Sequence, residues 1–180
     1  MPEAIENYAP QIALKEIKKQ AFLAWSIGFG LIFVWVLAIL LAPLALANGW
    51  TNLSAPIYIF FSFLCHQQDL RSFHIENHAF AVCSRCFGIY FGLFIGFIAY
   101  LLLRKIEEIE PLPRLWLFLA LIPMGIDWSL TAFNIWENTY FSRFLTGMIL
   151  GVACAIYIVP ALVELAHLLS NKSKRKRLSN

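Results

Sequence analysis

The chain has 180 residues, of which 60% are hydrophobic and 14% are Asp, Glu, Lys or Arg, against roughly 25% charged in ordinary soluble domains. A body this small has too much surface for its volume to hide so much apolar material from water. A soluble enzyme and a disordered chain are therefore both excluded, and a small polytopic membrane protein remains.

In chain order, residues 1–20 read as an amphipathic, cytoplasmic N-terminal segment carrying Lys15, Lys18 and Lys19. Ala21–Ala47 then runs 27 residues without a charge. At about 1.5 Å per residue this crosses a ~30 Å hydrocarbon core with some tilt, and it is too long for a cleavable signal peptide. Ile57–Cys65 is only nine residues, which predicts a re-entrant or interfacial helix rather than a crossing. Cys86–Leu103, Leu115–Phe133 (interrupted by Asp127) and Phe144–Val163 predict three more crossings. Residues 170–180 form a basic tail. The expected fold is an all-α membrane protein of four transmembrane helices plus one short re-entrant or interfacial helix on the outer side. A single transmembrane domain spans residues 21–169.

With four crossings, eleven of the fourteen Lys and Arg residues fall on one side: Lys15, Lys18, Lys19, Arg104, Lys105, Arg114 and the five of the tail. By the positive-inside rule that side is cytoplasmic, with both termini inside a multi-pass plasma-membrane protein. Arg71, Arg85 and Arg143 are left on the outer side. The tail then lies beside anionic inner-leaflet lipid, its expected partner, rather than nucleic acid. Gly88, Gly92 and Gly96 in the second span, and Gly147 and Gly151 in the fourth, recur every four residues, the spacing that lets helix backbones approach closely in lipid. Trp50, Trp136 and Tyr140 stand where interfacial aromatics are expected.

The chemistry concentrates between the short apolar run and the second span, in FSFLCHQQDLRSFHIENHAFAVCSRCFGIYFG, which holds three of the four cysteines and three of the four histidines. Polar groups packed this densely between apolar segments mark a site. Cys83-Ser84-Arg85-Cys86 is a C-x-x-C, and Cys65-His66 stands sixteen residues before it, close to the loop length between paired zinc ligands. Cys65, His66, Cys83 and Cys86 make a complete tetrahedral set for Zn²⁺. The alternative is redox: thiols outside the cytoplasm tend to oxidise, and a C-x-x-C at a helix mouth suits thiol–disulfide exchange with a membrane quinone. Three outward thiols cannot all pair within one chain, whereas all three can bind one metal, because Cys154 belongs deep in the fourth span. His74 and His78 would share a face if HIENH were helical, and otherwise read as solvated loop residues. His167 reads as an interfacial residue near the inner end of the fourth span.

Arg71, Arg85 and Arg143 either snorkel to headgroups and balance a thiolate site, or hold an anion such as a lipid phosphate by forked hydrogen bonds. Convergence on one pocket would favour the second. Asp127 is the deepest ionisable group and, with Arg143, the candidate for catalysis. Three roles are open to it: general acid/base, further metal ligand, or ion-pair partner of Arg143. No serine nucleophile motif, phosphate-cradling glycine loop or helical H-E-x-x-H occurs.

Cys65-His66-Gln67, Arg71-Ser72-Phe73 and Val82-Cys83-x-Arg85-Cys86-x-Gly88-Ile89-Tyr90-x-Gly92 together resemble the signature of a family of small prokaryotic membrane proteins, domain of unknown function two-thousand-eighty-five. Ile126-Asp127 and Arg143-x-x-Thr146-Gly147-x-x-x-Gly151 resemble its second half. The family tends to read Asp-Gly and a polar residue where this chain has Asp127-Trp128-Ser129. The resemblance implies that both halves belong to one site and brings no reaction with it. The leading expectation is an outward-facing Cys/His zinc site beside a pocket of Arg71, Arg85, Arg143 and Asp127, acting on a lipid-linked or phosphorylated substrate. Thiol–disulfide exchange, and non-enzymatic metal transport or a membrane scaffold, are the alternatives.

Overall fold

A computed structural model describes the backbone of residues 2–106 and 112–178 and the side chains of residues 15–106 and 112–170. The helices are α1 (Pro2–Ala47), α2 (Thr51–Ser62), α3 (Ser84–Leu103), α4 (Leu115–Ala132) and α5 (Tyr140–Leu178). One small hairpin, β1 (His74–Ile75) and β2 (His78–Ala79), lies between α2 and α3. Four of the helices are long and apolar enough to cross a membrane, over Lys15–Ala47, Ser84–Leu103, Leu115–Ala132 and Tyr140–Ser170. The predicted all-α architecture is thus observed. Helices α1 and α5 run well past the apolar stretches that mark them in the sequence. Of the predicted N-terminal segment and basic tail, the side chains of residues 1–14 and 171–180 lie outside the described residues.

Gly49, at φ +76°, reverses the chain after α1, a conformation that costs glycine little. Helix α2 then folds back along α1: Ser54 Oγ donates to the Ala42 carbonyl at 3.0 Å, and the edge of Trp35 meets Phe60 and Phe61. Its twelve residues reach only about 18 Å, so α2 covers part of α1 and stops. The short apolar run is thus a half-length helix, as its length requires.

The main packing is α3 on α5, which run parallel. A Cβ added at Gly88 would fall 2.2 Å from the Phe144 carbonyl oxygen, at Gly92 2.3 Å from that of Met148, and at Gly151 2.1 Å from that of Ile89. The five small residues interdigitate from both sides, because lipid provides no hydrophobic push and close backbone contact supplies dispersion instead. Their register sets the first turn of α3 beside the first turn of α5, and this places the site. At the opposite end the Gln20 side chain on α1 accepts from His167 Nδ1 through its Oε1 (3.1 Å) and donates from its Nε2 to Ser170 Oγ on α5 at 2.9 Å.

Gly151→Ala should lower the unfolding free energy by about 1–3 kcal/mol through overpacking, read as a fall in Tm of the purified protein. Gly30→Ala, where the new methyl meets nothing within 4 Å, should leave Tm unchanged or raise it.

Candidate functional site

The segment between α2 and α3 folds as a plug against the bundle. The HIENH stretch is a hairpin, not a helix: His74 pairs with Ala79 and Ile75 with His78. Glu76 and Asn77 form its two-residue turn, both at positive φ (49° and 63°), the handedness that matches strand twist. His74 and His78 therefore do not share a helix face. His74 contacts Asp69 at 3.0 Å and His78 the Glu76 carbonyl at 2.6 Å. Phe73 anchors the plug, its ring 5.8 Å from Phe80, 6.2 Å from Phe87 and 5.9 Å from Phe144.

Gln67 holds the strand to the helix. At φ +46° its side-chain amide donates to the Tyr58 carbonyl of α2 and to the Ala81 carbonyl, both at 2.8 Å. Tyr58 reinforces the join by donating its hydroxyl to the Ala79 carbonyl. Two stretches far apart in sequence are thereby clamped, one carrying Cys65 and the other leading to Cys83. The Cys83 backbone N–H donates to Cys65 Sγ at 3.2 Å. Cys83 caps α3 and Cys86 lies one turn on. The three Sγ atoms lie within 4.8 Å of one another and all three cysteines are free. Hydrogen bonds from the Cys65 thiol first, then from Cys86, hold the Cys83 thiol well below the usual thiol range. A tetrahedral zinc with ~2.3 Å zinc–sulfur bonds separates its sulfurs by about 3.8 Å, so the cluster is compatible with a metal ion. His66 lines the cavity that the three sulfurs face but does not belong to this close group. Cys154 lies on α5, apart from it.

The cavity measures about 570 Å³, and Arg71, Arg85 and Arg143 all line it together with Cys65, Cys83 and Cys86. These three arginines and the thiols therefore do converge. Arg85 Nη2 donates to Asp127 Oδ2 at 2.5 Å, across the 570 Å³ cavity's α3–α4 wall. Asp127 is buried, 8% exposed, and is not itself on the lining. Its partner is thus Arg85, not Arg143, which it reaches through Asn138. The Asn138 amide donates to Asp127 Oδ2 at 2.8 Å and to its backbone carbonyl at 3.1 Å, while its Oδ1 accepts from Arg143 Nε. Arg71 and Arg85 lie close enough to Arg143 to repel its charge, and Asp127 close enough to offset it.

Asn138 escapes sequence reasoning because it is a lone amide in a connector. What places it is the stop of α4: Asn134 adopts φ +53°, and the Ile135 and Trp136 amides donate back to the Leu130 carbonyl. That is the left-handed end of a helix, and it turns residues 135–139 onto Asp127.

Residues 65–157 match a family model described as "Predicted membrane protein (DUF2085)", a stretch that begins at Cys65 and takes in Arg143. An uncharacterised protein of Methanocaldococcus jannaschii is 36% identical over 155 residues, covering 83% of this chain and 97% of that protein. A second uncharacterised protein, from Methanothermobacter thermautotrophicus, is 36% identical over 97 residues, covering 53% of this chain and 85% of its own length. No solved structure matches.

Three substitutions test this framework. Asp127→Ala strands the Arg85 guanidinium and should cost about 3 kcal/mol, the low end for breaking a buried pair. Gln67→Ala leaves two carbonyls without their donor and should cost about 1–3 kcal/mol. Both are read as falls in Tm, and Asp127→Asn should fall less than Asp127→Ala because it keeps an acceptor.

Proposed function

We propose, from the premise that the chain belongs to the DUF2085 family of membrane proteins, that it carries an outward-facing zinc centre opening onto a pocket for a phosphate-bearing ligand. Cys65, Cys83 and Cys86 supply three thiolates, and His66, on the wall of the same cavity, turns its ring to complete the set. The observation that carries this reading is the meeting of three sulfurs and three guanidiniums in one 570 Å³ cavity. Three guanidiniums against the single Asp127 carboxylate leave a formal excess of two positive charges. Zinc with three thiolates carries net −1, so the cavity remains positive with the metal bound. An anion is the ligand that fits this field. Arg85 Nε is buried without a hydrogen-bond partner among the described residues, a donor still to be satisfied.

Arg71, Arg85 and Arg143 bind the phosphate oxygens, with forked geometry favouring a planar or tetrahedral oxyanion. Arg143 also lies nearest to completing a charge clamp in a reaction, because its Nε is fixed by Asn138 and its remaining donors are available to the ligand. Asp127 acts through Arg85 and Asn138, orienting two arginines rather than meeting the ligand. Held by Cys65, Cys83 and Cys86 alone, a zinc ion would leave one position open and would supply Lewis-acid activation of water there, whereas His66 as fourth ligand would close the site and make the metal structural. The Lys and Arg distribution supports a cytoplasmic placement for both termini and an outer placement for the site.

Metal analysis with thiol counting on one sample separates coordination from oxidation. The expected result is about one zinc per chain, by four-ligand stoichiometry. Cys65→Ser should lose it, and Arg143→Ala should keep zinc while weakening phosphate binding tenfold or more, about 1.4 kcal/mol. Metal-free protein with a Cys83–Cys86 disulfide would instead support thiol–disulfide exchange. For orientation, Glu137→Cys should react with a membrane-impermeant maleimide on intact cells above the wild-type background, and Lys105→Cys should not.

A further inference from the structure

The source of the ligand can be read from the walls of the cavity, and this inference rests on the anion pocket proposed above. Beside the thiols and guanidiniums the lining carries four apolar side chains, Leu64, Ile89, Met124 and Trp128. Helix α2 packs on α1 and α4 packs on α5, and on the cavity wall Leu64, two residues past the end of α2, and Trp128 on α4 are 49% and 61% exposed. In a membrane-spanning helix such an exposed apolar side chain faces lipid. Trp128 stands four residues before the end of α4, about 6 Å along its axis, the depth at which headgroups give way to acyl chains.

A second cavity of about 430 Å³ lies beyond the arginines, and Arg71, Asn138 and Arg143 line both. Its other walls include the exposed Glu137 and Thr139. Arg71 and Arg143 therefore stand between a chamber bordered by the exposed Trp128 and a chamber bordered by the exposed Glu137 and Thr139. A chamber of 570 Å³ falls in the ~300–1,000 Å³ range of organic ligand sites and far exceeds the need of a phosphate ion.

We propose that the ligand is a single-chain amphiphile with a terminal phosphate or diphosphate, which enters sideways from the bilayer between α2 and α4. Its head lodges at Arg71, Arg85 and Arg143, and its first carbons lie against Leu64, Met124 and Trp128. The exposed Leu64 and Trp128 mark where that chain leaves the cavity.

The test uses full-length protein as purified, in nanodiscs of neutral phosphatidylcholine. It is titrated separately with inorganic phosphate and with hexadecyl phosphate, and the shift in Tm gives each half-saturation. Hexadecyl phosphate should act at a concentration about tenfold or more below inorganic phosphate, and hexadecanol, the chain without the anion, should give no shift. Ala132→Trp, which plugs the gap, should remove the advantage of the chain while inorganic phosphate still binds. Trp128→Ala, which opens the wall without adding volume, should reduce the same advantage. Equal half-saturation for the two phosphates overturns lipid entry and leaves the anion pocket standing. An unchanged advantage in both variants overturns the assigned route. No shift from either phosphate, or a shift that Arg143→Ala leaves unaltered, overturns the anion pocket and this inference with it.

Discussion

The site depends on the contact of two helix backbones. Gly88, Gly92 and Gly96 on α3 receive carbonyls and side chains of α5, and Gly147 and Gly151 on α5 receive those of α3. In water such an interface would need apolar bulk to drive it, whereas in lipid the gain comes from close approach itself. Its consequence is registry. The turn of α3 that carries Cys83, Arg85 and Cys86 is held level with the turn of α5 that carries Arg143. A side chain at any of these glycines would separate the helices, and the thiols and Arg85 would part from Arg143.

Around that seam the chain arranges charge with economy. One buried carboxylate, Asp127, takes Arg85 directly and Arg143 by way of Asn138. Two cations of like sign are thereby kept side by side at the price of one acid, and neither is neutralised fully. A carboxylate at this depth is costly unless paired, and here the pairing also directs the remaining donors of both arginines toward the cavity. Gln67 does the corresponding work for the sulfurs, clamping the segment after α2 to the strand before α3.

Much of this was legible in the residues alone. The spans follow from charge-free length, and the half-length of α2 follows from nine apolar residues being too few to cross. The gathering of Cys65 with Cys83 and Cys86 follows from a C-x-x-C and a nearby Cys-His pair. Other features were hidden for physical reasons. The partner of Asp127 is set by helix rotation across 42 residues, which composition does not report. Asn138 depends on the left-handed stop at Asn134. The two histidines of HIENH would share a face only in a helix, and Glu76-Asn77 instead adopts the positive-φ turn of a hairpin, to which an Asn at a turn position points. The position of His66, on the shared cavity but outside the close group of three sulfurs, is set by the fold around Gln67 and not by spacing.

The central claim, that three sulfurs of this chain hold one metal, is tested most directly by X-ray absorption at the zinc edge on protein purified from membranes without added metal. The account predicts a first shell of three sulfur scatterers at about 2.3 Å with one nitrogen or oxygen at about 2.0–2.1 Å. A shell of nitrogen and oxygen alone would contradict it.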